Sequence, residues 1–389
     1  MSSVARAASW DCPGAAPITL CGTTAGTGVD VRGGGGAMSG REVCSRRRLR
    51  RRAALLLAGL LTAGLVPGAR PVAAQPAPSE ELPALGIGIE GWPYPAPVHF
   101  FQVFAGGQPC RMAYMDIGPR GPANGRTAVL MHGKNFSSDY WSNVIDDLAR
   151  RGYRVVVPDQ IGFNKSSKPD TDYAFDELSA NTLALLDTLG VTGPVDLVGH
   201  STGGMLAIRF ALLHPERVRK LVLEDPIGLE DYRLAIPPQT TETLAAAERR
   251  QSAESYRAFI ARYFVAYPAD KQAPFVEQRM RIARSGEFDR WARAAAETYQ
   301  MIYRQPVRYE MGHLAMPVLI AVGAKDRTVV MKGYGDPART AGMGDFPALA
   351  RQACAEIRDC RTAIIPEVGH IPHLEQADAF LAALDGFLM

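Results

Sequence analysis

The sequence has no large excess of charge of either sign. Its 43 lysines and arginines stand against 40 aspartates and glutamates, a net +3 over 389 residues. Much of that excess lies in one run, "RRRLRRR" at residues 46–52, so the rest is close to neutral or acidic and offers no basic face for nucleic acid. Cysteine is scarce, with six in the chain. None forms a Cys-x-x-Cys pair or a His/Cys cluster at metal spacing, so no zinc site is inferred and no metal or cofactor is expected. The main apolar run falls short of the ~20 residues that a membrane helix needs. No segment repeats at a fixed period, which excludes solenoid and propeller arrays. What is present is an ordinary globular composition, 47% hydrophobic, in a chain long enough for one large core with a smaller second domain or insertion.

After the basic run come "AALLLAGLLTAGLV" and "PVAAQ". A positive segment, a short apolar stretch and small residues at Val72 and Ala74 make a secretory signal, with cleavage expected after Ala74 and a periplasmic or secreted product without a stable membrane span. Residues 1–37 look like a translated upstream region, because Met38 would begin a signal of ordinary length. "SRRRL", from Ser45, also resembles a twin-arginine export signal. Residues 1–74 are therefore read as upstream region and signal. Cys12, Cys21 and Cys44 fall within it, which leaves Cys110, Cys354 and Cys360. The last two are close enough for a local disulfide in an oxidising compartment, and Cys110 is then expected to be buried.

Residues 75–97 are proline-rich and expected to be an extended lead-in without a core of its own. From residue 98 apolar runs alternate with amphipathic stretches. "VHFFQVF" and "CRMAYMDIG" read as a strand pair; "TAVLMHG", "YRVVVPD", "VDLVGHS", "RKLVLEDP", "PVLIAVGAKD" and "TAIIPEVGH" read as short buried strands. Such alternation predicts an α/β fold with a mostly parallel, doubly wound sheet covered by helices on both faces, binding its ligand at the carboxyl ends of the strands. The alternation stops over residues 227–313, which carry only helical patterns and read as a helical cap inserted late in the sheet. The sheet domain is then 98–226 and 314–389.

"LVGHSTGG" places Ser201 between Gly199 and Gly203. A Gly-x-Ser-x-Gly match arises by chance on the order of 0.2 times in such a chain, so context must decide. Here the motif follows the strand "VDLVG" and precedes the helical "MLAIRFALL", the strand, sharp turn and helix of a nucleophile elbow. A serine hydroxyl needs a base to remove its proton, and that base needs an orienting carboxylate. His370 follows the last strand and Asp326 the one before it, so both stand at strand ends. His132 and His200 read as loop-shaping, and His313 lies at the edge of the cap. Asp225 and Glu224, after an earlier strand, are the alternative acids.

These residues resemble the α/β-hydrolase superfamily in its capped Ser-His-Asp branch. "LMHGKNF", "VPDQIGFNKSSKP", "GHSTGG", "GAKD" and "GH" match its motifs in order, with Asn164 where glycine is usual and Thr202 where methionine is frequent. The resemblance implies backbone N–H groups of Lys134 and Thr202 in the oxyanion hole. The Lys134 side chain is left open: it faces solvent, pairs with Asp159, or enters the site to attract an anion. An aspartate nucleophile, needed by epoxide hydrolases and dehalogenases, is missing. The expected activity is hydrolysis of a small carboxylic ester or related acyl substrate. The alternatives are carbon–carbon bond hydrolysis, an aminopeptidase using cap acids such as Glu254 or Glu277, and a non-catalytic binding protein.

Overall fold

The computed structural model describes residues 82–389; the expected upstream region and signal lie outside the described residues. Eight strands form one sheet: β1 (Val98–Ala105), β2 (Gln108–Ile117), β3 (Thr127–Met131), β4 (Arg154–Pro158), β5 (Val195–His200), β6 (Val218–Glu224), β7 (Val318–Gly323) and β8 (Cys360–Ile365). Their spatial order is β1-β2-β4-β3-β5-β6-β7-β8. β1 and β2 pair antiparallel, as do β2 and β4, and every later neighbour is parallel. All eight strands coincide with the apolar runs of the sequence, and β5 and β7 are buried along their whole length. A strand covered on both faces has no solvent side, which is why its sequence does not alternate.

The helices are α1 (Ser142–Arg150), α2 (Phe175–Thr188), α3 (Thr202–Leu213), α4 (Thr241–Arg249), α5 (Ala253–Ala261), α6 (Ala269–Ala283), α7 (Phe288–Arg304), α8 (Pro337–Thr340), α9 (Phe346–Glu356), α10 (Pro372–Glu375) and α11 (Ala377–Leu388). Two cores flank the sheet. On one face α2, α3 and α9 bury Phe175, Leu185, Phe210 and Phe346. On the other α1 and α11 bury Val144, Leu148, Phe380 and Leu384. The apolar stripe of each helix is spent on the sheet, as the two-faced covering requires.

Helices α4 to α7 occupy the connection between β6 and β7. The long helical patterns of the sequence are each divided. Ser252 stops the first: its hydroxyl accepts from the Ser255 N–H, and Ser255 returns the bond, starting α5 afresh. The lead-in packs on the insertion: Leu85 and Ile89 are buried against Ile282, with Trp92, Tyr94, Phe288 and Trp291 around them. The Leu85 N–H donates to the Arg281 carbonyl at 3.1 Å. The proline-rich segment therefore shares a small core with α6 and α7. Cys354 on α9 and Cys360 at the start of β8 are joined in a disulfide, and Cys110 is a buried free thiol. Among the described residues no helix is long and apolar enough to cross a membrane.

Candidate active site

Ser201 sits between β5 and α3 with φ +56° and ψ −118°, a backbone conformation that a residue with a side chain rarely adopts. The neighbouring glycines make the turn possible. A Cβ on Gly199 would lie 2.4 Å from the Gly203 carbonyl oxygen, and one on Gly203 would lie 2.1 Å from that of Met131. Strand and helix thus approach closer than any side chain allows, and Ser201 is lifted to the sheet's carboxyl edge.

The three residues expected to act together are brought together. His370 Nε2 lies 3.0 Å from Ser201 Oγ, and His370 Nδ1 lies 2.6 Å from Asp326 Oδ2. Asp326 and His370 are each 2% exposed and Ser201 7%. Because the carboxylate only accepts, Nδ1 carries the proton and Nε2 is free to accept from the serine. Burial alone would raise the Asp326 pKa. The charge and hydrogen bond of His370, with hydrogen bonds from Asp225 and Thr328, outweigh it and hold the pKa below the ordinary carboxylate value. The Thr328 N–H donates to Asp326 Oδ1 at 2.8 Å.

Asp225, the alternative acid, has a different part. One ligand atom each from Asp225, Asp326 and His370 lies within 4.8 Å of the others. Burial, then the charge of Asp326 and a hydrogen bond with it, push the Asp225 pKa well above the ordinary value. Of the two carboxyls it is therefore the one that keeps its proton more readily, and it accepts the Gly323 N–H at 3.1 Å. Glu224, the other alternative, is committed to His373, accepting from its Nδ1 at 2.8 Å and its backbone N–H at 2.8 Å.

His200 and His132 hold loops. His200 Nε2 donates to the His370 carbonyl at 2.8 Å, and its Nδ1 accepts from the Tyr140 hydroxyl at 3.0 Å. Burial first, and then the nearby His370 and His373, push the His200 pKa well below the usual value, so it stays neutral. His132 Nε2 accepts the Gln160 N–H at 3.1 Å, tying the loop after β3 to the loop after β4. His313 is exposed.

Lys134 and Thr202 line the cavity on Ser201, and among the described residues neither backbone N–H donates to another loop or strand. The Lys134 side chain does not pair with Asp159, which accepts instead from Tyr94 and Ser138. Its Nζ donates to the Ala295 carbonyl and the Thr298 hydroxyl at 2.8 Å each, and stands 3.9 Å from the centre of the Tyr299 ring. Burial pulls its pKa down to about 8. The ammonium is thus enclosed against α7, without a carboxylate partner among the described residues. Asn164 takes its positive φ of +44° where glycine was expected, and its amide donates to Phe136 O and Asp159.

Two contacts at the site were not anticipated. The His370 N–H donates to the Tyr263 carbonyl at 2.6 Å, and the rings of the two residues stack 5.1 Å apart. Glu375 accepts the Gly369 N–H at 2.8 Å and the Val265 N–H at 2.6 Å, clamping the segment after α5 to the histidine loop. Both depend on where a loop from the helical insertion lands, for which a sequence carries no local signal. Ser201 faces a cavity of about 70 Å³ lined by Lys134, Thr202, Tyr263, Tyr299 and Met331. It shares Phe259, Tyr263, Tyr299, Thr328, Val329 and Met331 with an outer cavity of about 530 Å³.

Comparison with known proteins agrees with the fold. A probable hydrolytic enzyme from Pseudomonas aeruginosa PAO1 is 39% identical, with a TM-score of 0.76, over 79% of this chain and 99% of its own. A 2-hydroxy-6-oxononadienedioate/2-hydroxy-6-oxononatrienedioate hydrolase from Paraburkholderia phymatum is 40% identical over 128 residues, 32% of this chain and 43% of its length. A cis-3-alkyl-4-alkyloxetan-2-one decarboxylase from Xanthomonas campestris is 36% identical over 29% of this chain and 39% of its own. The chain thus spans about two fifths of these two curated relatives. The family described as the alpha/beta hydrolase fold matches residues 128–377, so the chain belongs to that family.

Proposed function

We propose that the chain is a serine hydrolase of carboxylic esters or related small acyl substrates, with Ser201 as nucleophile, His370 as base and Asp326 as its orienting acid. The observation that carries this reading is the unbroken hydrogen-bond relay from Ser201 through His370 to Asp326, opening on a cavity. As Ser201 Oγ bonds to the substrate carbonyl carbon, its proton passes to His370 Nε2; collapse of the tetrahedral intermediate expels the leaving oxygen, which takes that proton. Water then attacks the acyl-serine by the same route. The backbone N–H groups of Lys134 and Thr202 meet the oxyanion, aided by the N-terminus of α3.

In this reading residues 227–313 act as a cap that shapes the substrate space, and residues 1–74 are removed on export to the periplasm or beyond. The Cys354–Cys360 bridge supports an oxidising compartment. Of the cap acids named for the aminopeptidase alternative, Glu254 is exposed, Glu277 is bonded to Arg281 at 2.9 Å, and neither lines the cavity on Ser201. Carbon–carbon bond hydrolysis remains the second reading, favoured by one feature. Buried Arg279, with Nε and Nη1 unbonded, lines a cavity of about 50 Å³ with Lys134, a place for a substrate carboxylate.

The test is kcat/KM of the wild type and Ser201→Ala on parallel panels of esters, aryl dienoates and aminoacyl amides. Ester turnover that disappears with Ser201 supports the first reading. Turnover of dienoates alone would install the second. No turnover and no labelling by a serine-reactive phosphonate would leave a binding protein.

A further inference from the structure

The charged side chains on the wall of the 530 Å³ outer cavity are Arg262, Arg327, Lys332 and Glu248. The single carboxylate is already engaged: Glu248 Oε2 and its carbonyl accept from Arg279 Nη2 at 3.2 and 2.8 Å. Among the described residues none of the three cations has a carboxylate partner. Arg262 lies over the Phe259 ring, 5.2 Å from its centre. Arg327 donates to its own loop's carbonyls, Ala324 at 3.4 Å and Asp326 at 2.5 Å. Lys332 is exposed; the acid that feels its charge is Glu230, whose carboxylate accepts the Gly344 N–H at 3.0 Å.

Unpaired exposed cations also occur elsewhere among the described residues, as at Lys271, Arg351 and Arg358, but none of those lies on this cavity wall, and other arginines are neutralised. Arg120, Arg249, Arg293 and Arg308 are each ion-paired with an aspartate or glutamate. Unpaired cations gathered on a concave wall focus a positive potential into it and raise the local concentration of anions. The wall is otherwise aromatic and apolar, with Phe259, Tyr263, Tyr299 and Tyr334 beside Val329 and Met331. Because six lining residues are common to this cavity and the one on Ser201, a substrate held at the nucleophile reaches the cations with its distal part.

We propose that the outer chamber receives a carboxylate or similar anionic group on the part of the substrate remote from the scissile bond, so that the preferred substrate is an anionic amphiphile with an apolar middle. This rests on the reading of Ser201 as an acyl-transfer nucleophile. Opposite charge in the chamber contributes through orientation and capture, so it acts on kcat/KM.

The test compares 4-acetoxybenzoate with its methyl ester, a pair alike in shape and differing by one charge, on the full chain and on the double variant Arg262→Glu/Lys332→Glu. Both positions are exposed and neither belongs to the catalytic relay. The ratio of kcat/KM for the two esters is read in each protein, so their intrinsic reactivities cancel. The expected result is a fall of about tenfold or more in the anion-to-neutral ratio in the double variant at low ionic strength, with the methyl ester changed by less than about twofold. Salt at about 0.5 M should erase most of the difference, since exposed charges are screened within a few ångströms there. A ratio equal in the two proteins, or a neutral ester that loses as much as the anion, overturns the proposal. The same ratio is read from inactivation by a neutral and a carboxylate-bearing aryl phosphonate, which makes the result independent of acetate turnover. Labelling of Ser201 with an unchanged ratio defeats the chamber alone, whereas absence of labelling defeats the hydrolase reading itself.

Discussion

Exchange of Asp326 for asparagine changes little in shape and much in proton placement. Asp326 Oδ2 now accepts from His370 Nδ1 at 2.6 Å. An amide nitrogen in that place would turn Nδ1 into an acceptor and send the ring proton to Nε2. There it would face Ser201 Oγ, 3.0 Å away, and the ring could no longer take the serine proton. The expected loss in kcat is about 10³- to 10⁴-fold, or about 4 to 5.5 kcal/mol in the barrier. Asp225→Asn is the control. Burial and the charge of Asp326 favour the neutral form of Asp225, and an asparagine there is neutral too, with an oxygen that can still accept from the Gly323 N–H. A change of less than about tenfold is expected there. The assay is steady-state hydrolysis of 4-nitrophenyl acetate, with melting temperatures to confirm that both variants fold. If Asp225→Asn proved as damaging as described for Asp326 and Asp326→Asn nearly silent, the working acid would stand at the end of β6 and the relay drawn here would be wrong.

Ser201→Ala and His370→Ala should each remove most turnover, and the pair little more, because the relay acts as a unit; additive losses in kcat would count against it. Gly203→Ala should destabilise the fold by about 3 kcal/mol or more, since its Cβ would meet backbone at 2.1 Å, and an unchanged denaturant midpoint would refute that reading of the elbow. Asp139 is pushed up to about 6, chiefly by burial, against an unfolded value near ~3.9. The folded state therefore keeps the extra proton between those values, and stability falls as pH rises through them. Asp139→Asn should reduce the loss between about pH 4.5 and 7 by about 1 to 3 kcal/mol in urea melts, and identical slopes would exclude the effect. Replacing Cys354 and Cys360 by serine should cost about 2 kcal/mol or less, because the bridge closes a separation of only six residues; denaturant midpoints check this.

The strands of the sheet and the relay were legible because each is a local pattern. A strand buried on both faces is an apolar run, and the elbow is a serine held between glycines at a strand's end. Asp326 was preferred to Asp225 for its place in the family-like "GAKD" after a strand, and the structure adds a physical reason: of two adjacent buried carboxyls, the one bonded to His370 has its pKa held down. What was not legible are the places where distant segments meet. The lysine of "HGKN" gives no sign that its ammonium ends against Ala295 and Thr298 on α7. Tyr263 reads as a core aromatic, yet its carbonyl fixes the His370 backbone. The lead-in has too few apolar residues to make a core alone, and Leu85 and Ile89 find one only because α6 and α7 bring Ile282 and Trp291 to them.

The central claim is that Ser201 attacks the substrate and carries its acyl group. It is tested most directly by reacting the purified chain with a fluorophosphonate and locating the adduct by peptide mass spectrometry. One phosphonyl group per chain on Ser201, absent from Ser201→Ala and strongly slowed in His370→Ala, is the predicted result. An unmodified Ser201, or modification that proceeds equally fast without His370, would contradict the account.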